Sequence, residues 1–185
     1  MLSVEETAIP AVKIITPRKF GDHRGFFSET WSRKASVEAG LDLDFVQDNQ
    51  SLSAQVGTLR GLHFQSPPFA QDKLVRVIRG RILDVAVDIR TSSPTFGRHV
   101  AVELSAENWR QLLVPAGFAH GFATLEPNTE VLYKVTAPYE PDNDHGLAFD
   151  DPVLGIDWGL PPSEFTLSDK DREHPRLADM QRFFD

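Results

Sequence analysis

Between Ala11 and Thr136 apolar and polar residues alternate with a period of two, in short runs parted by Gly, Pro, Asn and Asp. This is the pattern of strands joined by tight turns. Ten segments read this way: AVKIIT, GFFSETW, DFVQDN, GTLRGLHF, KLVRVIRG, RILDVAVDI, HVAVEL, QLLVP, GFAHGFATL and TEVLYKVT. In RILDVAVDI, Leu83, Val85, Val87 and Ile89 fall on one side and Asp84, Ala86 and Asp88 on the other, which reads as one apolar and one polar face. Helical spacing is scarce. Ser32 is placed to cap a short helix through RKASVEAG that ends at Gly40, and a further turn or two is expected after Pro175. No βαβ alternation, internal repeat or low-complexity linker interrupts the series. The expectation is one all-β domain over 1–185, an antiparallel jelly-roll barrel with a few short helices. From Pro138 onward Pro, Asp and Gly become frequent, so this loop-rich C-terminal part is expected to wrap the barrel.

Composition narrows the function classes. A chain of 185 residues buries about 70% of its unfolded surface without staples. Its 41% hydrophobic content and 13 phenylalanines suit a folded core rather than disorder. The net charge of -8 lacks the basic face that nucleic-acid backbones require, so no nucleic-acid partner is expected. The absence of cysteine removes disulfides, thiolate metal sites and a cysteine nucleophile. MLSVEETAIPAV carries Glu5 and Glu6 where a signal peptide is basic. No run approaches the ~20 apolar residues of a membrane helix, since even ILDVAVDI is broken by Asp84 and Asp88. A soluble, cytoplasmic protein without membrane contact is the expectation.

Candidate chemistry begins in RGLHFQ, where His63 stands between Leu62 and Phe64. In a regular strand His63 shares a face with Leu59, Gly61 and Gln65, and Arg60 points away. A bulge at Gly61 shifts the parity and turns Arg60 and His63 to one cavity. In GFAHGFATL, Phe118, His120 and Phe122 share a face. Tyr133 lines up with Val131 and Val135, and Lys73 opens KLVRVIRG. Taken singly, each has an ordinary structural explanation: a hydrogen-bonded core histidine, a core tyrosine with its hydroxyl at the rim, a solvated strand end. On different strands of one barrel they line a cavity equipped for proton transfer, in which an imidazole accepts, a phenol returns and an ammonium holds an oxyanion. Arg24 and Arg60 are forked donors suited to a diphosphate. The H-x-H pair of metal-binding barrels is missing, since position 61 is Gly61 and position 65 is Gln65, so a metal-free site is expected.

These residues sit in segments that resemble one family. GDHRGFFSETW, FVQDNQS, LRGLHFQ, AQDKLVRVIRG, DVAVDIR, SPTFG, LSAEN, VPAGFAHGF, YKVTAPYEP, DDPVLGIDW and LSDKD, spanning about residue 7 to about residue 178, are similar in kind and order to the dTDP-4-dehydrorhamnose 3,5-epimerases, the RmlC-like cupins. The resemblance implies a cupin-like jelly-roll homodimer without metal or organic cofactor. Its substrate would be a dTDP-linked 4-keto-6-deoxyglucose, inverted at C3 and C5. It further implies His63 as general base, Asp171 of LSDKD as its carboxylate partner in preference to Asp169, Tyr133 as general acid and Lys73 as the enolate's counter-charge. His120 would add a polar contact to the sugar. Arg24, Phe27 and Glu29 would lie on an N-terminal strand reaching the partner's site, met there by Gln47, Asp48, Asn49 and Arg60. Tyr139 would stack on thymine, Lys170 would add a polar contact near the diphosphate, and Asp144 would take the substrate contact of the glutamate that usually precedes glycine in this loop. Three positions depart from the family pattern: Asp72 beside Lys73, the longer DNDHG loop around Asp144, and Gly159 after tryptophan. Three other readings stay open at this level: an epimerase acting at only one carbon, a non-catalytic nucleotide-sugar binder and, disfavoured by the missing H-x-H pair, a metal-dependent cupin oxygenase or isomerase.

Overall fold

A computed structural model describes residues 2–185. Its strands are β1 (Ser3–Glu6), β2 (Lys13–Thr16), β3 (Phe20–Asp22), β4 (Gly25–Phe27), β5 (Gln47–Ser53), β6 (Leu59–Gln65), β7 (Lys73–Arg79), β8 (Arg81–Asp88), β9 (His99–Ser105), β10 (Gln111–Val114), β11 (Phe118–Thr124), β12 (Thr129–Val135) and β13 (Asp144–Gly146). Two short α-helices, α1 (Arg33–Glu38) and α2 (Asp169–Arg172), and two single 3-10 turns, Pro141–Asn143 and Pro162–Glu164, complete the regular structure. One antiparallel sheet runs β1-β2-β10-β7-β12-β5 and a second runs β13-β6-β11-β8-β9, while β3 and β4 form a separate hairpin. The fold is the all-β jelly roll that the alternation predicts. Among the described residues no helix is long and apolar enough to cross a membrane.

The apolar residues divide into layers. Val75, Val77, Ile82, Ala86, Leu112, Phe118, Phe122 and Val131 interlock between the two sheets. Leu59, Leu62, Phe64, Val85, Val87 and Ala119 point out of the second sheet instead, where Leu154, Trp158, Leu177 and Met180 from the C-terminal segment cover them. That segment therefore seals a second core, as its loop-rich composition suggests. On the far side of the first sheet, the stretch around α1 lays Trp31, Leu41 and Phe45 against Ile15, Leu74 and Leu113. Ser32 caps α1 by accepting from Ala35 N, as predicted.

Covering the second sheet on both faces changes the reading of β8. Its polar side is not solvated, because Asp84 and Asp88 are both 0% exposed and face the space between the sheets. Each carboxylate has a dedicated partner: His120 for Asp84, and Arg90, Ser93 and Thr95 for Asp88. For Asp88 these contacts meet the cost of burying an ionisable group, while Asp84 keeps its second oxygen, Oδ2, without a partner.

Gly61 sets the geometry of β6. Along β11 the pairing steps from His120 opposite His63 to Phe122 opposite Arg60, so β6 holds one residue more than its partner between the two pairs. This is the bulge the glycine suggests. Gly61 has φ +125°, and a Cβ there would lie 2.6 Å from Gly121 Cα and 2.8 Å from the His120 carbonyl oxygen. Gly61→Ala is expected to destabilise the protein by about 2–4 kcal/mol, the cost of a strained backbone and an overpacked contact. A denaturant titration measures it, and an unchanged midpoint would contradict this account of the bulge.

Candidate active site

The bulge brings Arg60 and His63 to the inner side of β6, while Leu59, Leu62 and Phe64 stay outside. Together with β5, β7, β11 and β12 they wall a cleft of about 260 Å³ lined by Ser51, Arg60, His63, Lys73, His120, Phe122, Tyr133, Ser168, Lys170 and Asp171. His63 and His120 belong to one sheet, Lys73 and Tyr133 to the other. Imidazoles and phenol therefore stand on facing walls.

His63 Nε2 lies 2.6 Å from Asp171 Oδ1. An ionised carboxylate only accepts, so this nitrogen carries the proton and Nδ1 is left free to act as a base. Asp171 reaches the cleft from α2, whose N-cap Ser168 accepts from Asp171 N and donates its hydroxyl to Asp171 Oδ2 at 2.8 Å. Burial alone would raise the Asp171 carboxyl, but the neighbouring His174 imidazole together with the hydrogen bonds from His63 and Ser168 outweighs it and holds the group well below the ordinary carboxylate range. Asp169, the rival carboxylate, is exposed in the first turn of α2. Burial lowers the His63 imidazole below its usual value, partly offset by Asp171. His63 therefore stays neutral, and competent as a base, into mildly acidic solution.

On the opposite wall, Lys73 extends Nζ to 3.4 Å from the His63 carbonyl oxygen. Burial brings its ammonium down to about 8, against the pull of Asp144 and Asp84. Burial also raises the Tyr133 phenol, opposed by Arg60 and reinforced by Asp144. Tyr133 thus keeps its proton throughout the range in which Lys73 titrates. If these groups carry the chemistry, kcat/KM will fall on the alkaline side near pH 8 as Lys73 loses its charge, well below any ionisation of Tyr133. A plateau running to pH 10 in the measured profile would contradict that assignment.

His120 is tied through Nε2 to the fully buried Asp84 Oδ1 at 2.6 Å, so a second carboxylate fixes the second imidazole. Asp72, whose charge stands beside Lys73 in sequence, turns away from the cleft. Its carboxylate accepts from Ala116 N and the Thr136 hydroxyl.

The remaining predicted residues separate into three groups. Gln47 and Asn49 face the inner side of β5 with Ser51, opposite Val135 and Tyr133, and Gln47 Oε1 accepts from Tyr139 N. Asp48 requires correction. Strand alternation turns it to the outer face, where it ion-pairs with Lys134 at 2.7 Å, so it does not line the cleft. Tyr139 and Lys170 both donate to Asp144 Oδ2 at the rim, and Tyr139 is 55% exposed. Arg24 and Phe27 lie on the exposed β3–β4 hairpin, with Arg24 paired to Asp22, and Glu29 borders a separate hollow with Phe20 and Phe27. None of these three lines this chain's own cleft.

Sequence reasoning did not find Asp84, Ser51, Phe122 or Ser168 as part of the site. For Ser51 a usable signal existed, since it continues the parity of Gln47 and Asn49. For Asp84 the signal pointed the wrong way, toward a solvated face. A cation is a poor occupant beside His63. Donor atoms of His63, Asp171 and His174 all lie within 4.8 Å of one another, but two ligands on one zinc-like ion stand about 3 Å or more apart. The 2.6 Å contact suits a shared proton.

Groups able to take a proton on one wall, return one from the other and hold negative charge between them define an isomerase of the epimerase and racemase kind, built on a jelly roll. Comparison with known proteins narrows that class. The profile of the family described as dTDP-4-dehydrorhamnose 3,5-epimerase matches residues 6–179, and the chain belongs to that family. A dTDP-4-dehydrorhamnose 3,5-epimerase of Sinorhizobium fredii is 54% identical over 176 residues, covering 95% of this chain and 90% of its own. The Bacillus anthracis enzyme, solved with TDP and PPi bound, is 50% identical, with a TM-score of 0.92 over 95% of this chain and 99% of that one. The Legionella pneumophila enzyme, solved in complex with dTDP-4-keto-L-rhamnose, is 46% identical, with a TM-score of 0.93 over 98% and 95% of the two chains.

Proposed function

We propose that the cleft converts dTDP-4-dehydro-6-deoxy-D-glucose to dTDP-4-dehydro-L-rhamnose by inverting C3 and C5 in turn. The observation that carries this reading is the facing pair, a carboxylate-held imidazole on β6 and a protonated phenol on β12. Both carbons flank the C4 ketone, so each proton leaves through an enolate. In the D-gluco chair the hydrogens at C3 and C5 are axial on the same face. One base therefore serves both carbons, and one acid on the other wall completes both inversions. His63 Nδ1 takes the proton, Asp171 steadies the imidazolium, Lys73 pairs with the enolate oxygen, and Tyr133 protonates the opposite face. His120 supports the sugar. The dTDP-4-keto-L-rhamnose held by the Legionella relative is the doubly inverted sugar, which favours action at both carbons.

The nucleotide belongs at the rim, with Gln47, Asn49 and Arg60 on one side and Tyr139, Asp144 and Lys170 on the other. The β3–β4 hairpin exposes Phe20, Phe26 and Phe27 at 49%, 57% and 70%, a patch that calls for cover. In a homodimer this hairpin would carry Arg24, Phe27 and Glu29 to the partner's cleft, and sedimentation at twice the chain mass is the expected result.

Incubation with dTDP-4-keto-6-deoxyglucose in deuterated water tests the chemistry. Deuterium is expected at both C3 and C5, whereas incorporation at one carbon would make this a single-site epimerase. No incorporation would reduce the cleft to a binding site.

A further inference from the structure

Asp171 serves two imidazoles. While His63 Nε2 approaches its Oδ1 to 2.6 Å, His174, three residues further along the chain, brings Nε2 to 3.5 Å from the same oxygen. The two rings meet edge to face with centroids 5.4 Å apart. The His174 side chain is only 8% exposed, and its Nε2 is buried without a hydrogen-bond partner. The seat is shaped for that ring. A Cβ on Gly146 would come within 2.2 Å of it, and Gly146 is the β13 residue paired with His63 itself.

A buried N–H with no acceptor carries a free-energy cost, and Asp171 is the carboxylate in reach. At 3.5 Å the nitrogen stands just outside hydrogen-bond length, and a slight turn of the ring brings it in. Resting on the reading of His63 as the base, we propose that His174 is a positioning residue whose Nε2–H closes on Asp171 Oδ1, dividing that oxygen's charge between two imidazoles and so setting the basicity of His63. The pairing makes His63 a weaker base than an undivided carboxylate would, and one that gives up its proton more readily between the two inversions.

The other charged and titratable groups around this trio are Lys73 from β7 and Asp144 from β13 near His63. Asp144, His145, Asp169, Lys170 and Glu173 line the outer hollow that His174 borders. Substitution of His174 leaves all of them in place. Without its N–H, Oδ1 turns its full charge on His63, stabilises the imidazolium and raises the pH at which the base is lost. His174→Phe is therefore expected to move the acidic limb of kcat/KM upward by roughly half to one pH unit. His174→Gln, whose amide N–H reaches the same place, is expected to keep the parent profile. A His174→Phe profile superimposable on the parent, or equal shifts in both variants, would overturn the proposal. Should the phenylalanine variant fail to fold, nitrogen-15 histidine spectra of the unsubstituted protein decide: both His63 and His174 should carry their proton on Nε2, and an Nδ1–H tautomer at His174 would refute the idea. Failure of the underlying base assignment looks different, since the parent itself would then show no acidic limb or no turnover.

Discussion

His63→Ala protein should fold and bind nucleotide yet invert the sugar about a thousand to ten thousand times more slowly than the parent, the full worth of a positioned base. Neither Lys73 nor Tyr133 can substitute near neutral pH. Lys73 remains an ammonium below about 8, and burial keeps Tyr133 protonated. The structural cost is small by comparison. Asp171 loses one hydrogen bond but keeps the Ser168 hydroxyl, and its buried carboxylate forfeits about 1–3 kcal/mol. Thermal melts can confirm that the variant is folded while proton spectra follow the sugar. Turnover within tenfold of the parent would remove His63 from the role of base.

Tyr133→Phe separates the two halves of the reaction. With His63, Asp171 and Lys73 intact, the proton still leaves and the enolate still forms, but the opposite wall has no donor. Reprotonation then comes from the His63 side and restores the original configuration. In deuterated water the variant should therefore wash label into C3 and C5 of unreacted substrate while inversion falls by about 10²- to 10⁴-fold. Loss of exchange and inversion in equal measure would mean that the phenol acts before the enolate forms. Inversion at the parent's rate would mean that another group, or water, supplies the proton.

How far the sequence foretold this depended on whether a residue's neighbours lay near it in the chain. Alternation alone placed Phe118, His120 and Phe122 on one face and aligned Tyr133 with Val131 and Val135, because parity within a strand is a local property. Gly61 marked its own bulge for the same reason. The hairpin partner β3 and the short β13 carry too few residues to show a period. Asp84 and Asp88 misled because a second cover lies over β8, and nothing within RILDVAVDI records what the C-terminal segment will do. Asp48 sits among residues that resemble a binding segment, yet strand parity turns it outward. Asp171 and His174 lie more than a hundred residues from His63, so only resemblance suggested the first and nothing suggested the second.

The tail that carries Asp171 also brings Leu177 and Met180 to the outer face of the second sheet. Chemistry and cladding thus hang from one stretch of chain. When mild denaturant or a protease first peels that stretch away, the sandwich between the sheets can persist while the base is left without its anchor, so catalytic competence reports whether the tail is docked.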